Sequence, residues 1–570
     1  MVRRRHATDA PGTARAGEHR SLWQAAIVSE PRASTDPGDW FLGVEDRGNR
    51  WTRIDRRRGD GLGWTSGNEV VVHRDGRSYF GSLHEALRRV PAGGHVWLAD
   101  WEGDADERLD GPGTEVGEVL GGLARRGVAV RGLLWRSHPR QAHFDEQDNM
   151  HLAQEVNEQG ACLVLDERVR RGGSHHQKLV LVGDGVPSGA ADVAFVGGID
   201  LCHGRHDDHD HLGDPQATDE LDPVYGDRPP WHDVQLEVRG PAADDLGWTF
   251  LERWTDSGRL DHRNPVRAVQ RRLLRQPSRL PALPAPPAQR TGTGPCHVQV
   301  LRTYPARRPR YEFAPDGERS LARGHLKALS RARRLVVIED QYLWSTTGAD
   351  AIAHALERHP QLQVVLVVPR HPDDDGAVTG WANRLARHRV IQRLRAAGGD
   401  RVAAYDLVNR AGTPIYVHAK VCIVDDVWLE VGSDNLNRRS WTHDSEAGAA
   451  ILDERLDLRE PTDPAGLGDG ARVLARQTRL DLWCEHLGRA PGDDADLVDP
   501  SEGFATLARS AAAVTAWEDG GRRGERPPGH LARHRTAPIP RWQRPLAELA
   551  YRTTLDPDGR LAADRKAGRY

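Results

Sequence analysis

Lysine is nearly missing from this sequence. Of 79 basic residues only four are lysines, Lys178, Lys327, Lys420 and Lys566, and arginine supplies the rest. An ammonium and a planar guanidinium are not interchangeable at a crowded site, so each surviving lysine calls for a reason. Cysteine is scarce as well. Five in 570 residues, an odd number without paired spacing, speak against a disulfide framework or a zinc ribbon. No stretch approaches the ~18–20 uninterrupted apolar residues needed to cross a bilayer. The basic start, Met1 to Arg20, has no apolar segment behind it, which argues against a secretory signal. A surplus of one charge is also absent: 79 basic against 83 acidic residues give a net charge of −4. Bulk positive charge therefore does not hold nucleic acid. What is present, 38% hydrophobic residues and 59 glycines, is the composition of a folded protein expected in the reducing cytosol.

Hydrophobic periodicity divides the chain into five parts. Residues 1–66 read as an N-terminal extension without a clear pattern, and 67–264 as a first α/β lobe. Residues 265–295 form a Pro-rich linker, 296–490 a second lobe, and 491–570 an irregular Arg-, Pro- and Gly-rich tail. In the first lobe apolar strands are predicted at 69–73, 95–100, 128–135, 162–165, 176–182, 193–197 and 231–238, with helices at 78–90, 116–126, 144–159 and 241–257. The second lobe repeats the scheme, with strands at 297–301, 335–339, 362–368, 402–407, 418–424 and 428–432. Its helices are expected at 320–333, 349–358, 376–397 and 474–487. Apolar strands separated by helices point to sheets covered on both faces.

The duplication is clearest around two of the lysines. In the first lobe Ser174-His175-His176-Gln177-Lys178 enters an apolar run, and a later strand ends at Gly197-Gly198-Ile199-Asp200. In the second, Val417-His418-Ala419-Lys420 enters Val-Cys-Ile-Val, followed by Asp425 and then Gly432-Ser433-Asp434-Asn435. On a strand, residues i and i+2 share a face, so each histidine projects with its lysine while His175 faces the other way as a structural residue. Small residues on the neighbouring strand leave room and offer backbone N–H groups to an anion. Random placement predicts about 0.2 His-x-Lys triplets in such a chain. Three occur. The third, His325-Leu326-Lys327, lies in a predicted helix without the glycine sequel and reads as surface helix.

These residues resemble the phospholipase D superfamily. The second copy matches the signature H-x-K-x4-D-x6-G-S-x-N at His418, Lys420, Asp425, Gly432, Ser433 and Asn435. The first matches at His176 and Lys178, with Gly183 where the signature has Asp and Asp184 one residue late. Pro230-Trp231-His232-Asp233, Ile338-Glu339-Asp340-Gln341-Tyr342 and Gly197-Gly198-Ile199-Asp200 are similar to the phosphatidylcholine-hydrolysing branch. The resemblance covers about residues 67–490. It implies two similar α/β/α sandwich lobes forming a pseudo-dimer, with the active site at their interface.

The implied chemistry is metal-free cleavage of a phosphodiester, with no cofactor and no metal at the site. His176 is expected to be the nucleophile, forming a phosphohistidine, and His418 the acid that protonates the leaving alcohol and then the base on incoming water. Lys178, Lys420 and Asn435 would hold the phosphoryl oxygens, with Gly197, Gly198, Asp200, Gly432, Ser433 and Asp425 lining the substrate. By resemblance, Asp233 orients His176 and Glu446 orients His418. Hydrolysis of a phospholipid to phosphatidic acid, and transphosphatidylation to another alcohol, are then both open. The expected partners are a phospholipid at a membrane surface and a water or alcohol acceptor, with peripheral membrane contact and no obligate protein partner. The alternatives are a nucleic-acid phosphodiesterase, which the charge balance disfavours, and a cardiolipin-synthase-like phosphatidyltransferase. The segment His203–His211, rich in His and Asp, offers imidazole and carboxylate ligands but reads as a solvated substrate-entrance loop.

Overall fold

The computed structural model describes residues 36–136, 146–185, 192–216, 221–258, 260, 269, 280–286, 290–372, 377–536 and 539–570. Much of the expected linker and the first 35 residues lie outside this set. The first lobe holds β1 (Thr65–His73), β2 (His95–Asp100), β3 (Ala129–Trp135), β4 (Cys162–Asp166), β5 (Leu179–Gly183), β6 (Val193–Gly197), β7 (Trp231–His232) and β8 (Gln235–Arg239). The second holds β9 (Cys296–Tyr304), β10 (Glu318–Arg319), β11 (Leu335–Asp340), β12 (Gln363–Val367), β13 (Val402–Val408), β14 (Pro414–Val417), β15 (Lys420–Val424), β16 (Trp428–Gly432), β17 (Glu446–Asp453) and β18 (Leu531–Arg533).

Hydrogen-bond register makes the duplication explicit. The first sheet runs β4-β3-β2-β5-β6-β8-β1, parallel over β2–β4 and antiparallel beyond. The second runs β13-β12-β11-β15-β16-β17-β9 with the same parallel and antiparallel steps. The two sheets meet edge to edge, where β1 pairs antiparallel with β9. Both lobes are thus α/β, as the alternation of apolar strands and helices predicts. The central strands are apolar on both faces, and β4, β5, β6, β11 and β15 are buried at every residue, because helices cover one face and the opposite lobe the other. One continuous core links β5, β6 and β8 of the first lobe to β9, β15, β16 and β17 of the second.

Four expectations need correction. The tail at 491–570 is not irregular: Pro500–Asp519 is a 20-residue helix capped by the Asp499 carboxylate, and β18 extends the second sheet beside β13. Its helical stripe is small and alanine-rich, which composition alone reads as patternless. The single strand expected at 231–238 is broken into β7 and β8 at Asp233. The strand expected at 176–182 begins only at Leu179, so His176 and Lys178 lie on its extended approach. His325 is not on a surface helix. It is fully buried within Ser320–Arg331, its Nε2 3.2 Å from Glu430 Oε2, and Lys327 donates to Gly38 O at 2.6 Å. The chain before β1 covers this helix, burying Trp40 and Phe41.

That same N-terminal segment is locked in place by charge. Arg47 meets Asp55 at 2.6 Å and Glu318 at 3.1 Å, and Arg302 joins Glu318 at 2.6 Å to Glu252 at 2.9 Å. Glu252 lies on the first-lobe helix Pro241–Thr255 and Glu318 on the second lobe, so the network spans both.

Candidate active site

The two His-Lys segments approach one another across the lobe boundary through a pair of equivalent parallel bridges. His175 pairs with Ser445, and Val417 pairs with His232. The His176 N–H donates to Ser445 O at 2.9 Å and the His418 N–H to His232 O at 2.8 Å. In parallel pairing the next residues along each strand stand side by side. The residue after His175 is His176 and the one after Ser445 is Glu446; after Val417 comes His418 and after His232 comes Asp233. His176 Nδ1 accordingly lies 2.9 Å from Glu446 Oε2, and His418 Nδ1 lies 2.6 Å from Asp233 Oδ2.

This exchanges the partners read from sequence, which gave Asp233 to His176 and Glu446 to His418. The carboxylates are the expected ones, but each serves the histidine of the other lobe. Sequence order suggests that a downstream carboxylate returns to its own motif; the bridges between lobes decide otherwise. Register also shows Asp233 and Glu446 to be counterparts: Gly197 pairs with Gln235 and Gly432 with Gly448, each two residues past the carboxylate.

With Nδ1 occupied, each imidazole has its Nε2 without a hydrogen-bond partner among the described residues. Trp101 stands edge-on to His176 with ring centroids 5.9 Å apart, and Trp231 lies 4.9 Å from His418. Lys178 Nζ sits 3.1 Å from Asp200 Oδ1 and 5.5 Å from the Trp101 ring centroid. Lys420 Nζ donates to Gln341 Oε1 at 3.3 Å. Ser433 Oγ donates to Glu446 Oε2 at 2.6 Å, so it supports the orienting carboxylate. Asn435 is buried with its side-chain oxygen unpartnered.

The glycines are required by close approach. A Cβ on Gly198 would lie 2.1 Å from Asp233 Oδ1, and one on Gly197 2.5 Å from Gln235 Oε1. One on Gly432 would meet Glu430 Oε1 at 2.7 Å.

The electrostatics of the two halves differ. Burial and the ammonium groups of Lys178 and Lys420 hold the His176 imidazole well below its ordinary value. Both lysines thus add positive charge to the field at His176. His418 is pushed down to about 3 by burial and Lys420, against the pull of Asp233. Burial works to raise Asp233, yet His418 and Lys420 keep it below the usual carboxylate range. Glu446 lies well above that range because of burial and the nearby Asp444. Lys420 is lowered to about 8, chiefly by desolvation.

One expected residue and one segment do not fit their assigned roles. Asp425 sits at the far end of β15, five residues beyond Lys420 and thus about 16 Å away along a strand. It adopts φ +55° and accepts the backbone N–H groups of Arg333, Arg334 and Leu335, each at 2.8 Å. Its job is to fasten the start of β11, not to line substrate. The 203–211 segment is not a solvated loop either: Arg205, Asp207 and His211 are buried. Asp207 accepts the N–H of Gly213 at 3.0 Å and of Trp231 at 2.8 Å, which folds the segment inward. Arg205 then lies over the Trp231 ring at 4.1 Å and adds positive charge near His418. Arg205, Trp101 and Gln341 lie beside the histidine–lysine pairs and were not named from the sequence. The Gln341 segment carried a signal through its family-like motif and the Arg205 segment as an expected entrance loop, while Trp101 carried none.

Fold and site together define a two-lobed α/β protein in which both halves build one histidine–lysine centre. Residues 105–355 match the family model described as "Phospholipase D" and residues 326–459 the one described as "Cardiolipin synthase, PLD-like domain". The chain is 27% identical to phospholipase D alpha 1 of Arabidopsis thaliana over 514 residues, which cover 70% of this chain and 61% of that protein. Against phospholipase D alpha 1 of Ricinus communis it is 25% identical over 541 residues, covering 74% and 65%. The chain thus spans less than two thirds of the length of these plant relatives. Phosphatidylserine synthase of Haemophilus influenzae Rd KW20 superposes with a TM-score of 0.46 at 14% identity, covering 70% of this chain and 87% of that one. Both matched models are of phospholipase D-type domains, and together they span residues 105–459 of this chain.

Proposed function

We propose that this chain cleaves the phosphodiester of a phospholipid, transferring the phosphatidyl group to water or an alcohol through a phosphohistidine on His176. The observation that carries the reading is the reciprocal anchoring of two imidazoles, each fixed at Nδ1 with its Nε2 left open. The unequal carboxylates support the division of labour. Asp233, held low, favours a charged imidazolium on His418 and so an acid; Glu446, held high, leaves His176 neutral and nucleophilic.

In the first half-reaction His176 Nε2 attacks phosphorus, the P–O bond to the head group breaks, and His418 gives its Nε2 proton to the leaving alkoxide. In the second, His418 takes a proton from water or alcohol, whose oxygen attacks phosphorus and breaks the P–N bond. Both imidazoles are held neutral near pH 7 without substrate. A bound phosphate anion, set between Lys178 and Lys420, reverses the local field and lets His418 take up its proton. The lysines, Asn435 and the backbone around Ser433 meet the charge on the phosphoryl oxygens.

Among the described residues no helix is long and apolar enough to cross a membrane. The test is incubation with phosphatidylcholine vesicles, a simple alcohol and a plasmid. Choline together with a phosphatidyl-alcohol is the expected outcome. A cleaved plasmid with intact lipid would replace this reading by a nucleic-acid one.

A further inference from the structure

Behind Asp233, away from the open faces of the catalytic imidazoles, lies a second cluster of buried histidines and glutamates. His232 and His486 reach the two oxygens of Glu339, at 2.6 and 2.7 Å, in well-aligned hydrogen bonds. Both Glu339 oxygens are satisfied by these protons, and among the described residues only His486 Nδ1 is left without a partner there. The other half is not satisfied. His232 Nδ1 lies 3.0 Å and His211 Nε2 3.3 Å from the same oxygen, Glu485 Oε1, yet neither contact is aligned as a hydrogen bond. His211 Nε2, His232 Nδ1 and both Glu485 oxygens are left without partners, in side chains 1%, 0% and 3% exposed.

The far nitrogens explain the conflict. His211 Nδ1 donates to Trp231 O at 3.0 Å, and His232 Nε2 donates to Glu339 Oε2 at 2.6 Å. A neutral imidazole whose proton is committed on one side presents a lone pair on the other. Two imidazole nitrogens and a carboxylate therefore converge at 3.0 and 3.3 Å without an aligned hydrogen bond between them, an arrangement that a shared cation satisfies. A histidine whose outer N–H is held by a carbonyl or carboxylate is also the usual support for a metal ligand. The three ligand atoms lie within 4.8 Å of one another. Around a tetrahedral ion with bonds of about 2.0–2.1 Å, ligand atoms stand about 3.3 Å apart.

We propose that His211, His232 and Glu485 bind a divalent metal ion of the zinc type, which fastens the two lobes together and takes no part in phosphoryl transfer. Two imidazoles and a carboxylate suit zinc. His211 and His232 come from the first lobe, and Glu485 from the second-lobe helix Val473–His486. His232 immediately precedes Asp233, so the ion also steadies the carboxylate that orients His418.

The test is metal analysis of the purified full chain, followed by titration of the chelator-stripped protein with Zn²⁺ and with Co²⁺. One ion per chain is expected, with the visible spectrum of four-coordinate cobalt and a higher unfolding midpoint when loaded. His211→Ala and Glu485→Gln each weaken Zn²⁺ binding at least about 100-fold. Should those variants fail to fold, the cobalt spectrum of the unaltered protein still decides. A folded wild-type chain that neither retains nor binds either ion overturns the proposal. So does binding that both variants leave unchanged.

Discussion

Each catalytic histidine depends on one carboxylate, and the crossed pairing says which step each carboxylate controls. Asp233→Asn disables the acid, so turnover of choline-type leaving groups is expected to fall about 10²–10⁴-fold. A substrate with p-nitrophenolate as leaving group needs no proton and loses far less. Glu446→Gln acts on the nucleophile and slows both substrates alike. Comparing the two leaving groups for each variant checks the assignment; equal losses in Asp233→Asn count against it. Lys420 gives a second residue-level test. Its value of about 8 means that the ammonium charge disappears well below the ordinary lysine range. The alkaline limb of kcat/KM is expected near pH 8, since that quantity reports the free protein. The stability effect has the opposite sign. Between the folded value and the higher unfolded one the unfolded chain binds more protons, so this group's contribution to stability rises with pH.

Among the secondary-structure elements, the interruption between β7 and β8 is what turns Asp233 toward the other lobe, and Gly198 is what leaves it room. Gly198→Ala forces the Asp233 carboxylate to move, since the new Cβ would sit 2.1 Å from its oxygen. About a 10²-fold loss in kcat with an unchanged fold is expected, by steady-state kinetics beside circular dichroism. Gly81, in the helix Gly76–Arg88 with no atom within 4 Å of its Cβ position, is the control. Its alanine variant gains about 0.5–1 kcal/mol of stability with activity intact. Strands and helices were legible where their apolar runs are unbroken, as in β5 and β15, but not in β17 or the helix Pro500–Asp519, where alanine and glycine blur the pattern. The His-Lys pairs were legible because lysine is rare in this chain. The pairing of carboxylates was not, because it follows from bridges between residues 175 and 445 and between 417 and 232, which no local pattern encodes. Asp425 misled for a related reason: a motif position looks functional in sequence whether it touches substrate or fastens β11. Asp425→Ala is therefore expected to cost about 1–3 kcal/mol per lost backbone partner in urea unfolding, while kcat of the folded protein stays near the original.

For the molecule as a whole, the chain ahead of β1 acts as a clasp. Arg47, Asp55, Glu318, Arg302 and Glu252 form one buried network drawn from that segment and both lobes. Arg47→Met strands the Asp55 carboxylate in the interior and leaves Glu318 with Arg302 for its ion pair, and is expected to cost about 3–5 kcal/mol, read by denaturant unfolding. A loss under 1 kcal/mol would mean that the segment is merely laid on the surface. The tail from Pro500 onward belongs to the second lobe in the same sense, through its helix and β18.

Because Asp233 and Glu446 are counterparts by register, the loan of an acid from each half to the other is what a symmetric pair of identical subunits would build automatically. Fusing such a pair into one polypeptide frees the two copies to specialise, one carboxylate held low and the other high. It also binds their histories together: a change to either acid alters the step run by the opposite half, so the halves can diverge only in concert.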